Sequence, residues 1–301
     1  MKQKETAAHA AALVTVLIWG TTFISTKLLL TDFTPIEILL LRFTLGFLAL
    51  LAAYPRPLGK AGAKRELTFA AAGLCGIALY YLLENIALTD TSASNVGVIL
   101  STAPFFTAIL SRLFGAERDR LSVGFFIGFA AAMAGIALLS FGGSGVELHP
   151  LGDLLALGAA VVWAVYSLLT RRIAGFGLPL LATTRRVFAY GLIFLLPTLP
   201  FFPFGEGAAR FADPIDLANL LFLGLGASAL CFVTWSFAVG RLGAVKTSVY
   251  IYTVPVITVA ASILVLGETL TPTSALGTGL TIAGLLISEI KPKGRERKNG
   301  K

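Results

Sequence analysis

Ten apolar runs, at roughly 9–29, 35–54, 68–88, 93–113, 121–141, 151–171, 179–201, 217–239, 247–266 and 272–290, constrain this chain more than any other feature. Each is close to the ~20 residues a helix needs to cross the hydrocarbon of a bilayer. Inside lipid no water satisfies the backbone N–H and C=O groups, so a crossing segment is either a helix or a strand of a closed barrel. A barrel would announce itself as ten-residue stretches of alternating polarity, and the sequence has none. Hydrophobic residues make up 56% of the 301 positions and charged ones only 13%, too few to cover a soluble fold of that size. The expectation is an all-α membrane protein with ten transmembrane helices.

The basic residues predict its orientation. Lys2 and Lys4 precede the first run, Arg56, Lys60, Lys64 and Arg65 lie between the second and third, and Arg112, Arg118 and Arg120 between the fourth and fifth. Arg171 and Arg172 follow the sixth, Arg241 and Lys246 separate the eighth and ninth, and a basic tail fills 291–301. The alternate loops hold one base, Arg210, against acids such as Asp32, Asp90, Glu147, Glu206, Asp213 and Glu268. The positive-inside rule then puts both termini in the cytoplasm. The net charge of +8 is thereby read as a topology signal rather than a nucleic-acid-binding surface. The amino-terminal run continues past Trp19 and Phe23 to Leu30 without a small-residue cleavage site, so it reads as a retained first span rather than a signal peptide.

The chain also repeats itself. Ser101-Thr102-Ala103-Pro104, followed by Gly115-Ala116-Glu117, answers to Tyr252-Thr253-Val254-Pro255, followed by Leu266-Gly267-Glu268. Pro104 and Pro255 stand 151 positions apart, as do Glu117 and Glu268, Ala87 and Ala238, and Glu84 and Trp235. An offset of 144 carries Trp19 onto Trp163, Lys27 onto Arg171 and Arg42 onto Arg186. Two five-helix repeats, 7–142 and 150–290, describe this. Five is odd, so the second repeat enters the membrane from the opposite side. Inverted repeats of this kind place a substrate site near the midplane, where the halves meet.

The paired apolar-Pro helices with Gly-Glu turns, the Trp-Gly of the first span and the 5+5 plan resemble the drug/metabolite transporter superfamily in its ten-helix EamA branch, over about 7–290. Within it the chain looks most like bacterial inner-membrane exporters of aromatic and other amino acids. The resemblance implies a basket-like bundle around a central cavity, with the fifth helix of each half bracing it from outside. It further implies efflux of small amphipathic metabolites by alternating access.

Candidate site residues follow from position and type. Glu84 is an acid well inside a span, roughly one turn (about 6 Å) from its outer end. Intramembrane carboxylates cost several kcal/mol unless they are paired or face water. Glu84 reads either as a ligand for a substrate ammonium or a proton, or as half of an ion pair with Arg42 or Lys27, which share its depth. Trp19, Trp163 and Trp235 lie away from the span ends that an interfacial belt would occupy, so they line a cavity or pack. Cavity lining would put aromatic faces against the apolar or cationic part of a substrate. Tyr80 and Tyr166 stand one turn from Glu84 and Val162 and share those walls. Tyr250 and Tyr252, about 200° apart on one helix, cannot both point inward, and Tyr250 is the choice. Arg171, Arg185 and Arg186 either snorkel to the surface or capture a substrate carboxylate. Pro104 and Pro255 read as helix kinks. Gly124, Gly128, Gly135, Gly277 and Gly284 signal close helix packing, within the chain or between copies.

Several chemistries are missing from the sequence. It has no phosphate-binding Gly-x-x-x-x-Gly-Lys-Ser/Thr loop, no Cys/His cluster with metal spacing, and no loop long enough to house an enzyme. Cys75 and Cys231 both fall inside spans, so they indicate no disulfide framework. The expectation is a secondary transporter in the bacterial inner membrane, without cofactor, exporting aromatic and neutral amino acids. Efflux of lipophilic cations is the alternative, and a non-transporting partner subunit is a further one.

Overall fold

The computed structural model describes residues 2–59, 61–114, 123–141, 150–201, 204–205 and 208–289. Glu117, Arg118, Glu147 and the tail 291–301 lie outside these. The long helical stretches are α1 (Lys2–Leu29), α2 (Pro35–Ala53), α3 (Ala63–Asp90), α4 (Ala93–Leu113), α5 (Val123–Phe141), α6 (Pro150–Ala174), α7 (Leu180–Phe201), α8 (Pro214–Leu242), α9 (Ala244–Leu266) and α10 (Pro272–Glu289). No strand occurs among the described residues. Eight of these helices are long and apolar enough to cross a membrane; α5 and α10 carry shorter apolar runs, Val123–Ile136 and Ala275–Ser288.

Helix starts follow local chemistry. Ser92 caps α4 by accepting from Asn95 N at 3.1 Å, and Asp213 caps α8 by accepting from Ile215 N at 2.7 Å and Asp216 N at 3.1 Å. Irregularities recur at matching places in the two halves. A π-helical stretch interrupts α3 at Leu74–Leu79 and another interrupts α8 at Phe222–Leu230. In α4 the regular helix lapses at Ser101–Thr102, and α9 holds a 3-10 turn at Val249–Thr253. Pro104 and Pro255 each stand in the first turn of the segment that follows, Ala103–Leu113 and Val254–Ala261. There the missing N–H has no intrahelical partner to lose, so the prolines start helical segments rather than kink continuous ones. The hydroxyls of Ser101 and Thr102 donate to Val98 O and Ile99 O at 2.5 and 2.6 Å, satisfying carbonyls at the break.

The helices of the two halves pack on each other. α1 lies along α8 and α9, and α6 correspondingly along α3 and α4; α2 meets α7 and α8, α3 meets α7, and α4 meets α9. α5 and α10 stand beside this bundle and pack chiefly on one another. A Cβ added to Gly128 would come within 2.3 Å of Gly284 O, and one on Gly135 within 2.6 Å of Gly277 O. That pairing runs the two helices antiparallel and brings their backbones together, so these glycines join helices of a single chain.

Candidate functional site

The centre of the bundle is aromatic. Trp19 on α1 meets Trp163 on α6 edge to face, ring centroids 5.1 Å apart, and lies 5.0 Å from Trp235 on α8. Tyr80 is 4.8 Å and Tyr166 4.9 Å from Trp163. Phe232, which the sequence reading did not single out, lies among them: it is 5.1 Å from Phe188, 5.8 Å from Tyr166 and 6.0 Å from Trp19. Its position was legible after all, because the 151 offset that pairs Glu84 with Trp235 also pairs Tyr81 with Phe232, and those two rings stand 6.2 Å apart. Residues at equivalent places in the two halves thus meet each other along the centre.

A cavity of about 40 Å³ lies against this cluster, walled by Trp19, Phe23, Tyr80, Tyr81, Glu84 and Trp163 among others. That is room for a few waters at most, not for a metabolite. The α3 helix turns Glu84 into it beside Tyr80. Glu84 is 1% exposed, and its Oε1 has no hydrogen-bond partner; Trp163 Nε1 and Trp235 Nε1 are likewise unpartnered. Trp19 Nε1, by contrast, donates to Ala227 O at 3.0 Å. Buried polar groups are nearly always satisfied in folded proteins; of these three, Glu84 and Trp163 line the cavity.

A second cavity, of about 320 Å³, opens toward the end of the bundle that bears Arg172 and Arg241. Tyr166, Thr170, Thr183, Thr184, Ser236 and Arg241 line it together with apolar side chains. Tyr166 lines this cavity and Trp163 the inner one, so the tilted ring pair stands between the two.

The charges are disposed otherwise than as simple ion pairs with Glu84. Lys27 does not reach it; its ammonium donates to Leu88 O at 2.5 Å and Thr91 O at 3.0 Å, capping the C-terminus of α3. Its repeat partner Arg171 does the same for α8, donating to Gly240 O at 2.5 Å. Bases belong at helix C-termini, where unpaired carbonyls gather. Arg42 is fully buried, with Nε donating to Ser228 Oγ at 3.0 Å and the guanidinium 4.3 Å from the Tyr81 ring centroid. Neither of its terminal nitrogens has a hydrogen-bond partner, so Arg42 and Glu84 do not touch. Arg186 forms an ion pair with Glu66, at the start of α3, which the sequence reading overlooked. Arg185 caps α2 through Tyr54 O and Arg56 O. Tyr250 departs from expectation: its hydroxyl bonds His9 Nδ1 at 2.6 Å, away from the inner cavity. Ile251 and Val254, three residues apart, share the face toward the cavity, and Tyr250, next to Ile251, is rotated off it.

The opposite end of the bundle is closed by acids. Glu37 accepts from Arg210 Nη2 at 2.6 Å and Nη1 at 3.0 Å, and from Gly205 N at 3.0 Å. This grip holds the Arg210 guanidinium above its ordinary pKa. Asp90 accepts from Gly152 N at 2.8 Å, and Glu268 from Ala93 N at 3.0 Å and Ser94 Oγ at 2.5 Å. The last two join one half of the chain to the other at helix N-termini, where anions are favoured.

Comparison with known proteins decides the kind of machine this is. The model of the EamA-like transporter family matches residues 6–141 and again residues 150–289. The chain belongs to that family. Its EamA-like relatives include a "probable terminal-alkyne amino-acid exporter" of Streptantibioticus cattleyicolor, 30% identical over 95% of each chain. Another is a "probable amino-acid metabolite efflux pump" of Salmonella typhimurium, 29% identical over 92% of this chain and 93% of that one. A crystal structure with 21% identity matches at a TM-score of 0.66 over 94% of this chain and 96% of the other, and shares the fold. The EamA-like chain is thus a multi-pass membrane protein of a transporter family.

Proposed function

We propose that this EamA-like protein is a secondary transporter that exports small amphipathic metabolites, aromatic and neutral amino acids first, by alternating access. Its ten helices form two inverted halves, 7–142 and 150–290, with both termini in the cytoplasm of a bacterial inner membrane. The observation that carries the reading is the inner cavity. Glu84, with an unpartnered carboxylate oxygen, and Trp163, with an unpartnered indole N–H, line a small aromatic-walled space between the halves. Such a site offers an acceptor for an ammonium, a donor for a carboxylate and ring faces for an apolar side chain.

The state described is closed at the acidic end and partly open at the basic end, with the centre collapsed onto its aromatics. Export would require the Asp90 and Glu268 contacts to part while the packed rings of Trp163 and Tyr166 swing aside. The antiparallel α5–α10 pair and the exchanged packing of the two halves support the inverted arrangement, and the names of the relatives support amino acids. Efflux of lipophilic cations is the second reading, favoured by the same carboxylate among aromatic rings. Counterflow into proteoliposomes, with a panel of amino acids and cationic dyes, tests both. Exchange of radiolabelled phenylalanine or leucine is expected; exchange of dyes alone would transfer the assignment to cation efflux, and no exchange of either would end it.

A further inference from the structure

The 320 Å³ cavity at the basic end has features that the central site does not need. Arg241 stands at its edge, exposed, with its guanidinium 5.9 Å from the Phe237 ring centroid, and no acid partners it among the described residues. Arg241 is the base that lines the cavity; of its neighbours at this end, Arg171 and Arg185 are committed to helix carbonyls and Arg186 to Glu66. Thr183 and Thr184 both donate their hydroxyl hydrogens to Leu180 O, at 2.8 and 3.0 Å. A hydroxyl whose hydrogen is spent in this way turns its lone pairs outward and acts only as an acceptor. Leu178, Val187 and Phe237 add apolar lining to the same cavity. A cation, ammonium acceptors and an apolar surface in one cavity match the two charged ends and the side chain of a zwitterion.

The repeat sharpens the point. The 151 offset that pairs Glu84 with Trp235 places Arg241 on Asp90. Equivalent positions at the two mouths therefore carry opposite charge. A carboxylate is attracted at the basic mouth and repelled at the acidic one, which favours loading from the first and release at the second, and lipophilic cations are disfavoured at the point of entry.

We propose that this cavity is a loading site for amino acids with apolar side chains, distinct from the central site, in which Arg241 holds the carboxylate and the Thr183 and Thr184 hydroxyls accept from the ammonium. It rests on the reading of the protein as an amino-acid exporter and adds where and by which groups the substrate first binds. The test is equilibrium binding to the purified full-length protein of L-phenylalanine, 3-phenylpropionate, which lacks the ammonium, and phenethylamine, which lacks the carboxylate. Arg241→Gln is expected to weaken phenylalanine and phenylpropionate about tenfold or more, the scale of a lost charge-assisted contact, with phenethylamine unchanged. Arg241→Lys should recover part of the loss. Ser236→Phe, which puts a ring into the cavity and keeps Arg241 in the sequence, should weaken phenylalanine as well. Unchanged phenylalanine binding in Arg241→Gln or in Ser236→Phe overturns the loading site while leaving the exporter reading in place. A wild-type protein that binds phenethylamine but neither carboxylate ligand overturns both.

Discussion

Trp163 lines the inner cavity and packs on Tyr166, which lines the outer one, and its indole N–H is buried without a partner. Trp19, its repeat partner, holds its own N–H to Ala227 and packs on it edge to face. If these rings form the wall that a substrate displaces, Trp163→Ala should lower flux about tenfold or more with little loss of folded protein. Trp19→Ala should do the same with a larger fall in thermal stability, because it also gives up a buried hydrogen bond of about 1 kcal/mol. Normal flux in both would make the tryptophans packing alone. Glu84 is argued the same way. Its unpartnered oxygen does not touch Arg42, so Glu84→Gln breaks no ion pair. The expected variant melts within a few degrees of the parent and transports poorly. A loss of several kcal/mol of stability, recovered when Arg42 is also neutralised, would instead make the pair structural.

At the scale of elements, the α5–α10 crossing is the sharpest steric constraint, because backbone meets backbone at Gly128–Gly284 and Gly135–Gly277. Gly128→Leu should push the helices apart and destabilise the protein by about 1–3 kcal/mol, read as a fall in melting temperature in detergent. Flux per folded molecule should survive, since neither helix contributes the walls named for the inner cavity. The glycines, the apolar runs and the paired tryptophans were all legible in the sequence because composition and spacing alone carry them. What was not legible was which face of α9 turns to the centre. Ile251 and Val254 take it, and Tyr250 points to His9 instead. Nor did the sequence reveal which bases were spoken for. Lys27 and Arg171 reach helix carbonyls, and Arg186 reaches Glu66, through side chains long enough to find several partners at one depth.

At the scale of the whole molecule, the two mouths are equivalent by sequence and opposite in chemistry. The loop between α2 and α3 and the loop between α7 and α8 occupy the same place in their halves, and the 151 offset carries Gly59 onto Arg210. The first loop lies among bases; in the second, Arg210 is bound to the acid Glu37. If the halves are inverted, these equivalent loops lie on opposite sides of the membrane, and a single chemical experiment can tell. Gly59 and Ala212 are both exposed, and a Cβ built at Gly59 meets nothing within 4 Å, so a cysteine fits there without strain. In a background with Cys75 and Cys231 replaced by alanine, Ala212→Cys should react with a membrane-impermeant maleimide added to intact cells. Gly59→Cys should react only after the cells are opened. Labelling of both from the same face would mean that the halves are parallel. The substrate path would then need two unlike gates, in place of one gate design used twice with its charges reversed.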